Sequence, residues 1–316
     1  MFQGTAWSVS QAVLSATFFV ASGLPQHKPM VRRFAANAEE HYKVTVTLKA
    51  ETHSVATQTI SSRTYVAPVT RLAEIRGDWR INRRVLSMQG DGSAQIEETV
   101  NPTSDACEPV TQRQENTDPD LQRSLGQICS TLTTATIVRY LENRTGLQSD
   151  TAPTHLTDFG EQSPALLALW MRRAVRPSVK LPALPFEVGA KSHQSIHPNG
   201  EALGDASGSE STEWLEAQEE FPAASLHVVQ QISWNALAPL SKPSEGVPGS
   251  SPSAGVRQEF FADSVSTISL LDGSLFRANR SASRTSSRTL DAIPGLPEPP
   301  TFSSKLTVVV NIERLP

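Results

Sequence analysis

The sequence predicts an α+β fold that is mainly an antiparallel β meander or a curved half-barrel, with two helices packed on one face. Stretches of alternating apolar and polar residues recur along the chain, and several of them are joined by a turn that contains glycine. Two stretches in the middle of the chain instead have apolar residues at helical spacing. Strands therefore provide the framework, and helices cover part of it.

The composition agrees with many strands joined by polar loops. Of the 316 residues, 38% are hydrophobic and 19% are charged, and the 22 prolines outnumber the 17 glycines. These proportions disfavour a helical bundle. The formal net charge of −4 is small, and no basic stripe with interleaved aromatic residues is present. We therefore expect no nucleic acid among the partners.

The alternation of apolar and polar residues predicts where the first strands lie. Residues 41–50 predict a strand with one buried face, and residues 57–66 predict a second strand. The face expected to be buried in the first strand consists of Tyr42, Val44, Val46 and Leu48. Residues 78–100 predict a hairpin, because Asp91-Gly92 is typical of a type I′ turn. Similar glycine turns are expected at Thr145-Gly146 and Asp272-Gly273.

Two helices are predicted. Leu121, Leu125, Ile128 and Leu132 recur at spacings of four and three, which favours an amphipathic helix over residues 121–132. The second helix has Ser163 as its N-cap and Pro164 in its first turn, and Pro177 ends it. Its basic residues are Arg172, Arg173 and Arg176, which complement the helix dipole in the last turn. A helix on a membrane surface is the alternative to a helix docked on the sheet.

The remaining segments complete a β-rich domain over residues 40–316, which can form two lobes, 40–190 and 211–316. Residues 181–191 predict an edge strand or connector, and residues 193–211 a loop rich in glycine and serine. Strands are expected at 213–217, 225–234 and 305–312. Residues 241–255 are low in complexity and are expected to be exposed.

The N-terminus predicts export. The apolar run over residues 12–24 is too short to cross a bilayer as a helix but has the length of a secretory leader. Val20-Ala21-Ser22-Gly23 supplies small residues for cleavage, although no Lys or Arg precedes Lys28. We therefore interpret residues 1–27 as a leader and expect residues up to about 38 to pack poorly. A buried structural element is the alternative.

Cys107 and Cys129 are the two cysteines of the chain. In an exported protein an even pair predicts a disulfide, here closing a loop of about 22 residues and worth roughly 3 kcal/mol. Two unrelated thiols are the alternative. A metal site at these cysteines is disfavoured because no histidine lies between them.

Residues with catalytic or metal-binding chemistry are sparse. None of the common nucleophile, phosphate, zinc or dinucleotide motifs is present. His193 and His197 have ligand spacing but precede a Pro-Asn-Gly loop, so we interpret them as solvated. The pairs Glu97-Glu98 and Glu219-Glu220 are interpreted as solvated turns rather than as an acid and base pair. The tryptophans interpreted as core residues are Trp170, Trp214 and Trp234.

A proline-flanked segment carries a resemblance to a protein family. Leu181, Pro182, Pro185, Val188 and Gly189 match a segment of uncharacterised exported bacterial proteins that are built on twisted half-barrels. These proteins are distantly similar to the periplasmic lipoprotein-carrier fold. They usually have a tryptophan shortly after that glycine, whereas this chain has Ala190, Lys191 and Ser192. The resemblance implies a curved antiparallel sheet that can shelter an apolar ligand, and it implies no catalytic residue.

These observations predict a non-catalytic, exported binding or scaffold protein without a cofactor or a transmembrane segment. Its partner is expected to be an apolar ligand or a protein of the cell envelope. A hydrolase without a known motif is one alternative, and a component of envelope assembly is another.

Overall fold

The structure is a computed structural model, and it describes residues 29–60, 63–103, 107–110, 117–148, 165–198, 206–217, 219, 221–236, 256–289 and 301–316. The strands are β1 (Glu39–Ile60), β2 (Arg63–Met88), β3 (Ala94–Pro102), β4 (Glu108–Pro109), β5 (Thr136–Glu142), β6 (Lys191–Ile196), β7 (Ser207–Glu216), β8 (Ala223–Ala236), β9 (Val256–Ser269), β10 (Leu275–Thr289) and β11 (Thr301–Arg314). The helices are α1 (Pro119–Thr133) and α2 (Ala165–Ala174).

The strands pair antiparallel in one open sheet, in the order β5-β3-β2-β1-β11-β10-β9-β8-β7-β6, with β4 paired to β2. One meander is formed by β1, β2, β3 and β5, and a second by β6 to β11. The first and last strands join the two meanders, with a register that runs from Tyr42 opposite Arg314 to His53 opposite Ser303. The predicted mainly antiparallel β fold is confirmed.

One face of the sheet, called the inner face below, contains most of the core. Its β1 residues have no exposed surface, and they are those predicted from alternation: Tyr42, Val44, Val46 and Leu48. Trp79 and Ile81 of β2 are buried opposite Val44 and Tyr42. The intervening side chains point to the other, outer face because successive strand residues alternate in direction.

The three predicted glycine turns are confirmed. Gly92, Gly146 and Gly273 have φ values of 82°, 75° and 69°, which L-residues with a side chain rarely adopt. Gly146 is also required for space, since a Cβ atom there would lie 1.9 Å from the carbonyl oxygen of Val179.

Helix α1 begins at Pro119, two residues before the predicted start at Leu121. Asp118 caps it by accepting hydrogen bonds from the backbone N–H groups of Asp120 (2.8 Å) and Leu121 (3.1 Å), and proline occupies its first turn. Leu125, Cys129 and Leu132 are buried against the inner face. No helix within the described ranges is long and apolar enough to cross a bilayer.

Residues 29–33, called the strap below, cross the end of the sheet. The N–H of Arg32 donates to the carbonyl oxygen of Arg144 (2.7 Å), and the N–H of Arg33 donates to that of Asp272 (2.8 Å). Arg32 is buried, and Met30 packs against an apolar cluster around Trp214. The expectation that residues up to about 38 pack poorly is therefore wrong for the strap, whereas residues 35–37 are exposed and residues 1–28 lie outside the described part.

Several boundaries differ from those expected. The segment 57–66 does not form one separate strand, because β1 and β2 continue on either side of it as two long arms of one hairpin. Residues 193–211 were expected to be a loop, but residues 193–196 belong to β6 and residues 207–211 belong to β7. The predicted N-cap Ser163 and the low-complexity stretch 241–255 lie outside the described residues.

Candidate functional site

Buried charged side chains gather on the inner face, close to the strap. We call this group the charge cluster, and its members are Arg32, Glu40, Arg83, Glu98 and Glu142. They come from the strap and from four strands, β1, β2, β3 and β5. Because side chains alternate along a strand, each strand residue of the cluster lies on the face that is otherwise apolar. These buried charges are therefore stabilised by pairing with one another instead of by water.

Arg83 lies at the centre of the charge cluster. Its Nη1 atom donates to Glu40 Oε2 and to the carbonyl oxygen of Pro177, both at 3.0 Å. Its Nη2 atom donates to Glu142 Oε2 at 2.5 Å, and its Nε atom donates to the Tyr140 hydroxyl at 3.3 Å. One guanidinium thus connects β1, β5 and the segment that follows α2.

Two tyrosines satisfy further oxygens of the cluster. The Tyr140 hydroxyl donates to Glu98 Oε2 (3.0 Å). The Tyr42 hydroxyl lies 3.1 Å from both Glu40 Oε2 and the carbonyl oxygen of Leu275. Burial raises the pKa of Tyr42 and of Tyr140 well above the ordinary value, so both remain protonated donors at neutral pH.

The two best-connected carboxyl groups have pKa values shifted in opposite directions. Burial alone would raise the pKa of Glu40, but the guanidinium groups of Arg83 and Arg32 outweigh it and lower the pKa to about 2. Burial raises the pKa of Glu142, and the same two arginines oppose this without reversing it. Glu40 therefore supplies the firmly ionised partner of both arginines.

This arrangement fastens separate parts of the chain together. Arg32 links the strap to Glu40 of β1 at 2.5 Å, and Arg83 links β1 to β5 across β3. Perturbed pKa values also mark catalytic clefts, but structural ion-pair networks produce the same shifts. The members of the charge cluster are packed between the strands and the segment that follows α2. We therefore interpret the cluster as a buried ion-pair network that stabilises the fold.

The burial of Glu98 contradicts the interpretation of Glu97-Glu98 as a solvated turn. Glu98 is 2% exposed on β3, in phase with the buried Ala94 and Ile96. Glu97 faces the outer side and pairs with Arg139 at 2.6 Å. The signal was present in the sequence, because a carboxylate in phase with apolar residues on a strand predicts a buried ion pair. Glu219 is likewise paired, with Arg277 at 2.6 Å, and Glu220 lies outside the described residues.

Arg280 of β10 holds the end of α2. Its buried guanidinium donates to the carbonyl oxygens of Arg173 (3.3 Å), Ala174 (2.8 Å), Arg176 (2.9 Å) and Ser178 (2.6 Å). Helical carbonyls at a C-terminus lack partners within the helix, and a cation there also complements the dipole. Burial lowers the pKa of Arg280 to about 10, which still leaves it charged at neutral pH.

The predicted disulfide is confirmed between Cys107 and Cys129, whose Cα atoms are 5.8 Å apart. Cys129 lies on the buried side of α1, and Cys107 precedes β4. Strand β4 pairs with Ile75 and Arg76 of β2. The disulfide therefore links α1 to the segment that contains β4 and, through that segment, to β2. Cys107 has a φ of 128°, a conformation that a residue with a side chain adopts rarely.

An open groove of about 660 Å³ lies beside the disulfide, between α1 and β4. Ile75, Gly126 and Cys107 line it together with Pro109 and Pro119. The remaining lining residues come from α1 and are polar: Gln122, Arg123, Gln127, Ser130 and Thr131. The lining of this shallow groove, which is widely open to solvent, thus combines apolar surface with amide and hydroxyl groups.

The space between α1 and the inner face is much smaller. Trp79, Ile81, Val100, Leu132 and Val175 surround a cavity of about 50 Å³. This volume is far below the several hundred Å³ that a ligand site needs. Side chains of the protein itself fill this part of the fold.

Histidine side chains lie on the outer face in separate pairs. His193 Nδ1 lies 2.9 Å from Ser211 Oγ, and His227 Nε2 lies 2.9 Å from Asp263 Oδ1. His193 is exposed on β6 and His197 follows that strand, so a helical ligand pair is not formed. Among the described residues, no group of three His, Cys, Asp or Glu side chains is placed to hold a metal ion.

One hydroxyl–imidazole–carboxylate chain is present on the outer face. His53 lies between Thr70 Oγ1 (3.0 Å from Nδ1) and Glu51 Oε1 (2.8 Å from Nε2). His53 is exposed on a strand surface, whereas nucleophilic catalysis requires oxyanion donors in a site that excludes water. The geometry matches an ordinary set of cross-strand polar contacts.

No protein-family model and no curated protein sequence matches the chain. Among solved structures, the chain is similar to the secretin domain β-barrel of InvG from the Salmonella SPI-1 injectisome, with 11% identity and a TM-score of 0.16. That match covers 88% of this chain and 63% of InvG, and a second InvG structure gives 9% identity, a TM-score of 0.16 and coverages of 89% and 65%. The chain therefore spans just under two thirds of the length of the InvG chain in each of these two structures.

Proposed function

We propose that the chain is a non-catalytic, exported binding protein that holds an extended peptide segment of an envelope partner in the groove beside α1. The groove carries this proposal, because it is open, has a volume of about 660 Å³ and is bordered by a covalent bond. Amide side chains such as Gln122 and Gln127 can donate to and accept from a peptide backbone. The rings of Pro109 and Pro119 offer apolar contacts to its side chains.

A peptide partner is better supported than an apolar ligand sheltered under the sheet. The cavity between α1 and the inner face measures about 50 Å³, and Trp79 and Leu132 occupy the space around it. The groove, in contrast, is polar along its helical side. These features favour a protein of the cell envelope, and not an apolar ligand, as the binding partner.

Export is part of the same proposal. Disulfides persist in oxidising compartments and are rare in the cytosol, so the Cys107–Cys129 bond supports an extracytoplasmic location. The apolar run over residues 12–24 agrees with a leader.

We propose a curved half-barrel with both helices on one face, similar to exported half-barrel proteins related to the lipoprotein-carrier fold. One hydrophobic cluster supports this arrangement, since it unites Leu125 of α1 and Met171 of α2 with Val46 of β1 and Val310 of β11. The segment that carries the resemblance, residues 181–190, packs Leu181 and Phe186 around Trp214.

A peptide library displayed on phage tests the groove. The full chain is used to select peptides, and their affinities are then measured by fluorescence anisotropy for the wild type and for Gln127→Trp. An indole at position 127 occupies the groove, so we expect the affinity to fall at least tenfold. Asn311→Trp is the matched control, because Asn311 is also exposed but lies on the outer face of β11. It should leave the affinity unchanged.

Two outcomes would contradict the proposal. Enriched peptides that bind Gln127→Trp as tightly as the wild type would place the binding surface elsewhere. Failure to enrich any peptide, with the protein folded and its disulfide formed, would remove peptide binding as the function of the groove.

A further inference from the structure

Strand β10 has three arginines on the inner face at intervals of four residues: Arg280, Arg284 and Arg288. They are in phase with the buried Ala282, and residues 277–289 pair with β11 without a shift in register. The carbonyl oxygens at the end of α2 satisfy the guanidinium of Arg280. Arg284 and Arg288, called the arginine pair below, lie further along the strand and have different surroundings.

Arg284 is half-buried without a counter-charge. Its Nε atom donates to Gln258 Oε1 (2.8 Å), which is a neutral acceptor. Neither member of the arginine pair forms an ion pair with a carboxylate of the described residues. Burial lowers the pKa of Arg284, and no acidic group in the described part of the chain opposes this shift. A guanidinium that is partly removed from water in this way is stabilised by an anion.

Arg288 is exposed, and its guanidinium lies over the ring of Phe302, 5.5 Å from the ring centroid. Stacking of this kind leaves the N–H donors at the edge of the guanidinium available to a ligand. A strand rises about 3.4 Å per residue, so Ser286 lies midway between the arginine pair, about 7 Å along the strand from each member. Both long side chains can therefore reach an anion held above Ser286.

Hydroxyl groups form the floor between the two arginines. Ser286 is opposite Ser304 of β11, and Ser304 is opposite Thr52 of β1. We call these three residues the hydroxyl row. All three are half-buried on the inner face, and the Oγ atoms of Ser286 and Ser304 are 3.4 Å apart. Hydroxyl groups can donate hydrogen bonds to an anion that the arginines attract.

The uncompensated charge on this part of the inner face is positive. Arg71 of β2 lies opposite Thr52, at the end of the hydroxyl row, and pairs with Asp118 at 3.0 Å. Asp118 also accepts two backbone hydrogen bonds as the N-cap of α1, so its carboxylate is already engaged. Glu51 and Glu259 are in neighbouring strands but lie on the outer face, because successive side chains alternate in direction.

We propose that the arginine pair and the hydroxyl row between its members bind a tetrahedral oxyanion such as a phosphate group. Guanidinium groups at two sides and hydroxyl groups below supply donors from several directions. This arrangement suits an anion with four oxygen atoms better than a planar carboxylate. The site is separate from the groove, whose lining residues belong mainly to α1 and to the segment that contains β4.

Isothermal titration calorimetry of the full chain with inorganic phosphate, at constant ionic strength, tests this proposal. We expect the wild type to bind phosphate and Arg284→Gln/Arg288→Gln to bind it about tenfold more weakly or worse. Arg257→Gln/Arg277→Gln is the control with the same net charge, because both of its arginines are exposed on the outer face. It should leave the affinity unchanged. Equal losses in the two double variants, or no binding by the folded wild type, would overturn the proposal.

A second pair of variants keeps every arginine. Ser286→Asp places a carboxylate between the members of the arginine pair and should abolish phosphate binding. Ser287→Asp adds the same charge on the opposite face of β10 and should bind as the wild type does. Phosphate binding by Ser286→Asp that is as tight as binding by Ser287→Asp would contradict the site.

A soluble phosphodiester, glycerophosphoglycerol, identifies the source of the phosphate group in the same titration. An affinity similar to that for inorganic phosphate would indicate a site for the phosphate group of a larger molecule, such as a lipid headgroup. Binding of the diester that is more than tenfold weaker would indicate a site for the free anion.

Discussion

Arg83 and Glu142 form a 2.5 Å ion pair between β2 and β5 although β3 lies between these two strands. Both side chains lie on the inner face, where they are 3% and 1% exposed. The pair shows that the charge cluster reaches across strands instead of following one hydrogen-bonded ladder. Removal of one member consequently affects several elements at once.

Arg83→Met should be among the more destabilising single substitutions in this protein. It removes the guanidinium and leaves Glu40 and Glu142 buried without their shared partner, which typically costs about 3–5 kcal/mol. Urea denaturation measures the loss. Arg80→Met on the exposed side of β2 is the control and should change the free energy of unfolding by less than about 0.5 kcal/mol. Equal effects of the two substitutions would show that the cluster contributes little.

Glu40 predicts a specific dependence of stability on pH. Its pKa falls from an ordinary 4.5 to about 2 on folding, so its contribution is fully present above pH 4.5 and is lost as the pH falls towards 2. The contribution is on the order of 3 kcal/mol. Urea midpoints between pH 5 and pH 2 should therefore fall less steeply for Glu40→Gln than for the wild type. Parallel slopes would mean that Glu40 is not the group responsible.

The disulfide should stabilise the fold measurably. A closed loop with a sequence separation of 22 residues predicts a loss of about 3 kcal/mol when the bond is reduced. The free energy of unfolding of the wild type is measured with and without a dithiol reductant. The double variant Cys107→Ala/Cys129→Ala should resemble the reduced wild type and should not respond to the reductant. A reductant effect of similar size in the double variant would attribute it to another cause.

Two glycines allow a comparison in which backbone conformation is matched. Gly92 and Gly146 both have positive φ, so alanine at either position is expected to cost about 1–2 kcal/mol. At Gly92 the added Cβ meets only the flexible side chain of Arg144, whereas at Gly146 it meets the backbone oxygen of Val179. Thermal or urea unfolding should thus show a larger loss for Gly146→Ala than for Gly92→Ala. The reverse order would contradict the close approach of residues 145–146 and 179–180.

Much of the fold was predictable because strand alternation and glycine turns are local signals. Residues 41–50 alternate in the sequence and bury the expected face, and Gly92, Gly146 and Gly273 adopt the positive φ that their turns need. Pairing between distant strands has no such signal. Nothing near residue 44 indicates that Val44 lies opposite Ile312, so the join of β1 to β11 followed only from the structure.

The candidate site was less predictable for a similar reason. The disulfide could be predicted because the chain has two cysteines and an apolar N-terminal run that indicates export. The groove beside it could not, because it depends on how β4 lies against β2. The charge cluster combines residues separated by as many as 110 positions, from Arg32 to Glu142. Arg280 likewise appears in the sequence as one of several arginines on a polar strand, and its role depends on where α2 ends.

The pairing of β1 with β11 has a consequence for the order in which the protein folds. These strands occupy the middle of the sheet, yet the paired residues Val44 and Ile312 lie 268 positions apart in the sequence. Until β11 emerges, β1 has no neighbour on one side, and the two meanders cannot share a core. Contacts between such distant residues form slowly, since a long loop must close first. The nascent chain therefore stays without its central strand pair until β11 has been synthesised, and up to that point each meander must be stabilised by its own contacts.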